Sequence, residues 1–371
     1  GRMDFHETGP ETVRATPWAL QAIILGILGI LVGRVPSWIA GLPLALQFSW
    51  DRFMLSMMLG GSLLLVGLVE FLVKNDLRKT VLVSLLIALA VGRQFNAANT
   101  FRRDWENQRQ FFWQLSWRIP GLEPGTMLAT HELPLVYETD FNLTAPLNWI
   151  YSPTVKNRDL PFMLVYTRAR LGSDLLPRVE AGLPVEYAYR TMTFHGSTSD
   201  MVVFYHPVPG CVRVLDPVYS NQETTPGLTY MLTDAIPLSN LSRINAAAGP
   251  AVLPAGLFGD EPQHTWCYYF EKAELARQDE DWQTVAQLGD EAVEKGFTAN
   301  APAEWLPFIE AYARTGSLEK AAVLAQKVHE TNKDLDPALC SLWDRVVSQN
   351  PSGRDLISTA AEMKSGLKCQ P

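Results

Sequence analysis

The stretch ATPWALQAIILGILGILVG (residues 15–33) contains no charged residue and is long enough to cross a bilayer as a helix. A helix in lipid must satisfy its own backbone hydrogen bonds, which takes about 20 mostly apolar residues. Two further stretches are mostly apolar, FMLSMMLGGSLLLVGLVEFLV (residues 53–73), which has no charge before Glu70, and the shorter LRKTVLVSLLIALAV (residues 77–91, with the helix ending near residue 92), which has none after Lys79. The sequence therefore predicts a transmembrane region over residues 1–100 that anchors a large water-soluble part.

The segment between the first two apolar stretches, residues 35–50, contains Pro36 and Pro43 with Gly41 between them. Proline lacks a backbone donor and interrupts a helix, so this segment is predicted to be interfacial or re-entrant. A fourth span is the alternative. Within residues 53–73, the glycines at 60, 61 and 67 would let another helix approach closely.

The loop from Lys74 to Lys79 carries three cations and one anion, and short basic loops stay in the cytoplasm. The second helix then runs outward-to-inward, and everything after about Arg93 lies on the outer face of the plasma membrane. A second basic cluster, formed by Arg93, Arg102 and Arg103, favours the opposite orientation.

The net charge of −8 and the lack of any Lys/Arg-rich run argue against a nucleic-acid partner. No zinc-type Cys/His spacing is present, so neither a metal nor a cofactor is expected. The four cysteines, Cys211, Cys267, Cys340 and Cys369, all follow the membrane region. In an oxidising compartment they could pair, with Cys340–Cys369 the first candidate, whereas buried free thiols are the equal alternative.

Residues 101–260 are predicted to form an extracytoplasmic α/β domain. It begins with an amphipathic helix over residues 101–120, whose aromatic residues would cover a core or rest on lipid. Short β-prone runs broken by Pro and Gly follow, together with one helix at Thr144–Tyr151. The predicted strands are Thr126–Thr130, Leu133–Tyr137, Phe162–Tyr166, Val185–Phe194, Met201–His206 and Cys211–Leu215.

Residues 261–371 are predicted to be an α-helical repeat region of the tetratricopeptide type. Ala276-Arg277 closes one helix, and Ala313-Arg314 repeats that turn about 37 residues later. Two such hairpins are too few to stand alone, so they are expected to dock on the preceding domain.

Asp51 and Arg52 are the candidate site residues, beside Trp50 at the mouth of the second helix. A charged pair there ordinarily marks the membrane interface. The functional alternative is that Arg52 binds the phosphate of a lipid-linked donor through its guanidinium fork.

The segment His195–Asp200 (HGSTSD) places His, Ser and Asp close together, but catalytic triads are assembled in space and no G-x-S-x-G elbow is present. A polar turn between strands is the favoured interpretation. A hydrolase that uses His195 and Ser197 is the weakest alternative.

The order of parts resembles the C-terminal half of bacterial multi-spanning membrane proteins of the glycosyltransferase-like class. The resemblance covers most of the chain and is carried by PSWIAGLP (36–43), FSWDRF (48–53), GLEPGTML (121–128), TAPLNWIY (144–151) and FHGSTSDMVVFYHPVPGCVRVLDP (194–217). It implies transfer of a sugar from a polyprenyl phosphate on the outer face, by carboxylates in a loop after the first membrane helix of the full-length enzyme. The first outer loop of this sequence contains Asp51 but no acidic pair. We therefore expect either the tail of a longer enzyme or a relative without the catalytic half, and transfer no catalytic residue.

Two functions from different classes are consistent with these patterns. The first is a part or relative of a polyprenyl-phosphate-sugar-dependent glycosyltransferase, whose outer domain binds acceptor or donor. The second is a non-enzymatic scaffold, anchored in the lipid bilayer, that binds a protein partner through its helical hairpins.

Overall fold

The computed structural model describes residues 17–45, 50–131, 133–154, 158–166, 180–189 and 191–369. The chain divides into two compact units, residues 1–101 and residues 102–371, which we call the membrane unit and the globular unit. Their boundary falls inside one long helix. The α/β and helical-repeat parts predicted from the sequence both lie in the globular unit.

The membrane unit contains α1 (Trp18–Ile39), α2 (Leu55–Leu72) and the start of α3 (Asp76–Arg118). All three are long and apolar enough to cross a membrane. The three predicted apolar N-terminal helices are thereby confirmed, and their length and composition indicate a membrane protein.

Helices α1 and α2 pack through glycines, whose lack of a side chain lets the two backbones approach closely. A Cβ on Gly26 would lie 2.5 Å from the backbone nitrogen of Leu64, and a Cβ on Gly60 would lie 2.5 Å from that of Ile30. The Ser56 hydroxyl also donates a 2.7 Å hydrogen bond across the pair to the Gly33 carbonyl.

The apolar part of α3 keeps its side chains exposed, with Leu77 74% and Ile87 58% accessible. Such a surface is stable only in contact with lipid or with other apolar helices.

Two helix predictions in this region were wrong. The Pro36 residue does not end α1, which continues to Ile39; a proline in a membrane helix is tolerated when the freed backbone groups find other partners. The predicted third membrane helix and the separate helix over residues 101–120 are one continuous helix. The segment between them contains no proline, and the single Gly92 costs only about 1 kcal/mol in a helix interior.

The globular unit is built around a four-stranded sheet with the strand order β3-β1-β6-β7. Strand β1 is parallel to both β3 and β6, and β7 is antiparallel to β6. A second sheet has three strands in the order β2-β5-β4, and in sequence its strands are interleaved with those of the first sheet. The strands are β1 (Met127–Thr130), β2 (Asp159–Leu160), β3 (Met163–Tyr166), β4 (Pro184–Tyr189), β5 (Met192–Ser197), β6 (Met201–Tyr205) and β7 (Arg213–Val214).

The three parallel strands β1, β3 and β6 are buried on both faces and are almost entirely apolar, as expected for parallel strands covered on two sides. Leu128 and Val202 point toward α3 and α4 (Asp140–Tyr151), where Phe111 and Leu147 meet them. The opposite face contains Met127, Ala129, Met201 and Val203 and packs on α5 (Tyr230–Ala235).

Two strand predictions were wrong, and in each case a contact distant in sequence explains the difference. Leu133–Tyr137 is a loop, because the carboxylate of Asp104 accepts the backbone N–H groups of Val136 and Tyr137 at 2.6 and 3.1 Å. The predicted single strand Val185–Phe194 is instead the antiparallel pair β4 and β5.

After the short helix α6 (Ala255–Phe258), the chain forms consecutive helical pairs. They are α7 (Trp266–Gln278) with α8 (Trp282–Glu294), α9 (Leu306–Arg314) with α10 (Leu318–Thr331), and α11 (Asp336–Gln349) with α12 (Arg354–Gly366). The first two pairs match the predicted hairpins, and α11 and α12 extend the same pattern. Their assignment to the tetratricopeptide type stays a prediction.

All four cysteines are in disulfides. Cys340 is bonded to Cys369, as the first-choice pairing predicted, and Cys211 is bonded to Cys267. The second bond joins the segment after β6 to the start of α7, so it holds the helical pairs against the sheet. The free-thiol alternative is wrong.

Candidate functional site

The sheet of the globular unit has a crevice where parallel α/β sheets commonly bind ligands. The connection after β1 leads through α4 to β3 on one side, whereas the connection after β6 leads to β7 on the other. Ligands of open α/β sheets bind outside the carboxyl ends of two such neighbouring strands, where the connections diverge. In this chain the crevice therefore lies between the loops that follow Thr130 and Tyr205.

A pocket of about 340 Å³ lies at this position, a volume at the lower end of those that hold small ligands. Pro134, from the loop after β1, lines it, as does the segment His206–Gly210 from the loop after β6. Cys267 and Asn300 contribute from the helical side. We call this cavity the switch-point pocket.

One face of α3 forms the largest wall of the switch-point pocket. It presents Asn107, Gln110, Trp113, Gln114 and Trp117, a spacing of three and four residues that puts these side chains on one side of a helix. This part of α3 is therefore amphipathic. One face packs aromatic and aliphatic side chains against the sheet, and the other presents amide side chains and two tryptophan rings to the pocket.

The indoles are held in fixed positions by their own hydrogen bonds. The Trp117 Nε1 donates to the Glu261 carboxylate at 2.9 Å, and the Trp113 Nε1 donates to the Phe258 carbonyl at 3.4 Å. Because both N–H groups are already engaged, the small accessible part of each ring offers the pocket apolar surface. Both indoles are mostly buried, at 7–9% exposure.

Some of the amide side chains that line the pocket are hydrogen-bonded within the protein, and others are free to bind a ligand. Gln114 accepts the Val212 N–H at 2.8 Å, and Asn107 donates to the Pro134 carbonyl at 3.2 Å. Gln110 and Gln263 are exposed, and neither side chain is hydrogen-bonded to another residue in the described parts of the chain. Each can both donate and accept.

His206 is the buried polar group of the pocket, with 8% of its surface exposed. Burial lowers its pKa to about 4, although a hydrogen bond with the Gly210 backbone opposes the shift. The imidazole is therefore neutral at physiological pH. Its ring lies 6.1 Å from that of Phe111, and its Nδ1 is buried without a hydrogen-bond partner among the described residues.

The switch-point pocket is uncharged, since no Asp, Glu, Lys or Arg is found among the described residues that line it. Apolar ring surface combined with neutral donors and acceptors suits a ligand that has hydroxyl groups on an apolar frame. It does not suit a phosphate or a carboxylate, which would enter without a compensating cation.

The predicted site residues Asp51 and Arg52 lie in the membrane unit, in the turn before α2. The Asp51 carboxylate accepts the backbone N–H of Arg52 at 2.8 Å, and the Arg52 guanidinium lies 5.0 Å from the centre of the Phe53 ring. Both residues line an open, mostly apolar cavity of about 840 Å³ that also contains Met57 and Gly61. A role for Arg52 in binding lipid phosphate stays a prediction.

The His195–Asp200 segment ends β5 and forms the turn into β6. The Ser197 hydroxyl accepts the Ser199 N–H at 3.2 Å, and Asp200 is paired with Arg243 at 3.5 Å. These are the contacts of a turn between strands, the interpretation favoured from the sequence.

Sequence reasoning missed the switch-point pocket. The aromatic residues of the helix over residues 101–120 predict a core or lipid contact, whereas Asn107, Gln110 and Gln114 recur at helical spacing on another face. That amide stripe was the available signal. The loops that complete the pocket, after Thr130 and Tyr205, are brought beside it only by the strand order.

In the described parts of the chain, no three His, Cys, Asp or Glu side chains lie together as a metal ion would require. Comparison with known proteins finds no matching family model, no matching curated protein and no matching solved structure.

Proposed function

We propose that this chain is a multi-pass membrane protein whose globular unit lies on the outer face and binds a neutral saccharide in the switch-point pocket. Its role would be to hold the acceptor, or the sugar part of a polyprenyl-phosphate donor, for a membrane glycosyltransferase. The observation that carries the proposal is an uncharged pocket in which indole rings and free amides converge at the carboxyl edge of a parallel sheet.

The chemical groups of a saccharide are complementary to the residues that line the pocket. One face of a hexose ring consists of C–H groups and packs on aromatic rings such as those of Trp113 and Trp117. The hydroxyl groups at the ring edge both donate and accept, and so do the amides of Gln110 and Gln263. The neutral His206 also lines the pocket and adds no charge to it.

Two observations support placing the globular unit outside the cytoplasm. Disulfides persist in oxidising compartments, and both cysteine pairs of this unit are bonded. The basic loop between α2 and α3 contains Lys74, Arg78 and Lys79 and would remain on the cytoplasmic side.

The outer-face placement can be tested by thiol labelling. Protein extracted from membranes into detergent and denatured without reductant should take up no maleimide, because all four cysteines are bonded. After reduction the same sample should take up four. Full labelling before reduction would show a reducing compartment and contradict the proposed orientation.

Saccharide binding can be tested with the full chain in detergent micelles by isothermal titration with neutral methyl hexosides. Replacing both Gln110 and Gln263 with alanine should weaken binding about 30-fold, since each amide contributes a hydrogen bond worth roughly 1 kcal/mol. Both side chains are exposed, so the fold should be unaffected.

Gln287→Ala is the matched control, because this exposed glutamine lies on α8 outside the pocket. Its affinity should equal that of the unaltered protein. Glucuronate should bind more weakly than the neutral hexosides, because its carboxylate finds no cation in the pocket. If no neutral hexoside binds, or if the double variant binds as well as the control, the proposed function fails.

The scaffold alternative has less support, because the inner face of the helical pairs is covered by the chain itself. Tyr219 stacks on Arg277 of α7 at 3.8 Å and lies 5.1 Å from Arg345 of α11. The Glu223 carboxylate accepts a 3.2 Å hydrogen bond from Ser341 of α11. A protein partner of these helices would have to use their outer surface.

A further inference from the structure

A second cavity, of about 40 Å³, lies where the segment after β6 meets helices α7, α9 and α11. Its charged lining residues are three arginines, Arg213 of β7, Arg277 of α7 and Arg345 of α11, and one carboxylate, Glu274 of α7. We call it the arginine cavity. It shares no lining residue with the switch-point pocket.

Three guanidinium donors at this cavity are buried without an acceptor. They are Nε and Nη2 of Arg213 and Nε of Arg277, none of which has a hydrogen-bond partner in the described parts of the chain. The Nε and Nη2 atoms of one arginine form the side-on edge of its fork, whose two parallel N–H groups match the two oxygens of a carboxylate or phosphate. A buried charged donor without a partner is costly, so these atoms require an acceptor.

The nearby acidic groups do not supply that acceptor. Glu274 and Glu310 bind the other two nitrogens of Arg277, at 3.1 and 2.9 Å. Glu310 also binds both Nε and Nη2 of Arg345, at 3.0 and 2.8 Å. These carboxylates therefore neutralise their own partners and leave the edge of Arg213 free.

Glu271 is an acidic neighbour of Arg213. It lies on α7, fully buried, and neither of its oxygens has a hydrogen-bond partner among the described residues. Burial raises the pKa of its carboxyl group well above the usual value, although Arg118 and Arg213 oppose the shift. The upward shift favours the protonated form of Glu271, which compensates the charge of Arg213 less than a carboxylate would.

We propose that the arginine cavity binds a small oxyanion, a carboxylate or phosphate group, held side-on by Arg213 and contacted by Nε of Arg277. The cavity holds about three water-sized groups at 10–15 Å³ each, which suits one such group and excludes a whole nucleotide. The buried residue Thr225 lines the same space and adds a hydroxyl group. The proposal is independent of saccharide binding, because the two cavities are separate.

The test measures thermal unfolding of the full chain in detergent with inorganic phosphate or acetate, against chloride at equal ionic strength. A bound oxyanion should raise the Tm saturably, by about 5–10 °C at about 100 times its Kd. A rise with phosphate alone identifies a phosphate site, a rise with acetate alone identifies a carboxylate site, and either result supports the proposal.

Arg213→Lys keeps the positive charge but removes the fork, so it should weaken the anion affinity at least tenfold. Arg213→Gln removes the charge and should abolish the effect; if this variant does not fold, the lysine variant still decides. Arg354→Gln, an exposed arginine on α12, is the matched control and should respond like the unaltered protein. If neither anion raises the Tm more than chloride does, or if the rise is unchanged in Arg213→Lys, the cavity holds water only and the proposal is overturned.

Discussion

Replacing Glu310 with alanine should lower the free energy of unfolding of the globular unit by about 3–5 kcal/mol, the usual cost of removing one partner from a buried ion pair. The Glu310 side chain is completely buried on α9 and binds three arginines, Arg277 of α7, Arg314 of α9 and Arg345 of α11. Among the described residues, its removal would leave Arg314 and Arg345 without a carboxylate partner and Arg277 with Glu274 alone. In a unit of this size the loss corresponds to a drop in Tm of roughly 6–20 °C.

The hydrogen-bond geometry shows why this carboxylate has a large effect. Oε1 accepts Nε and Nη2 of Arg314 at 3.0 and 2.6 Å and Nε of Arg345 at 3.0 Å. Oε2 accepts Nη2 of Arg345 at 2.8 Å and Nη2 of Arg277 at 2.9 Å. One carboxylate thereby connects α7, α9 and α11, the first helices of the three helical pairs.

The stability that Glu310 contributes should also depend on pH. Burial disfavours its charged form, but the attraction of Arg277, Arg345 and Arg314 outweighs burial and lowers its pKa to about 2 from the ordinary 4.5. A carboxyl group whose pKa is depressed on folding stabilises the fold above its unfolded pKa. That contribution, about 3 kcal/mol, is lost as the pH falls from 4.5 towards 2.

Urea unfolding of the full chain in detergent, followed by circular dichroism from pH 7 to pH 3, measures both effects. Glu310→Gln keeps the shape but not the charge, so it should be destabilised at pH 7 and should lose less stability between pH 4.5 and 3 than the unaltered protein. Glu106→Ala is the control, since its exposed pair with Arg102 is worth less than about 1 kcal/mol. Equal stability of the Glu310 and Glu106 variants would refute the assigned role.

The sequence contained part of the signal for this ion cluster. The Ala-Arg pair at Ala276-Arg277 recurs at Ala313-Arg314, and the structure brings both arginines to Glu310. The repeat predicted that the two positions are equivalent in their helices. It could not predict the shared carboxylate, because the crossing of α7, α9 and α11 depends on packing between helices that are distant in sequence.

The membrane helices were predictable for a simple reason: length and the lack of charge suffice to predict a span in lipid. Loops such as Leu133–Tyr137 were not, because their backbone groups can pair either with a strand or with a side chain such as that of Asp104. Apolar alternation does not distinguish these two outcomes. The same limit hid the switch-point pocket, which depends on the order of the strands in the sheet.

Replacing Gly60 with leucine should force α1 and α2 apart, whereas the same change at the adjacent Gly61 should not. A Cβ at Gly60 would lie 2.5 Å from the Ile30 nitrogen and 2.7 Å from the Gly29 carbonyl carbon, both backbone atoms that cannot rotate away. A Cβ at Gly61 meets nothing within 4 Å. Non-bonded carbon contacts need about 3.5–4.0 Å, and the larger leucine side chain also needs room, so we expect the helices to separate by about 2 Å or more.

Spin labels at Leu20 and Leu72, exposed positions near the start of α1 and the end of α2, can measure this separation by electron-electron double resonance in lipid nanodiscs. The disulfides leave the native cysteines unlabelled, so introduced cysteines at these two positions carry the signal. Gly60→Leu should lengthen and broaden the distance distribution, and Gly61→Leu should match the unaltered hairpin. Identical distributions for the two variants would mean that the glycines do not set the helix approach. In the sequence Gly60 and Gly61 are equivalent small residues. Gly60 is indispensable because it lies on the face of α2 that contacts α1, whereas Gly61 does not.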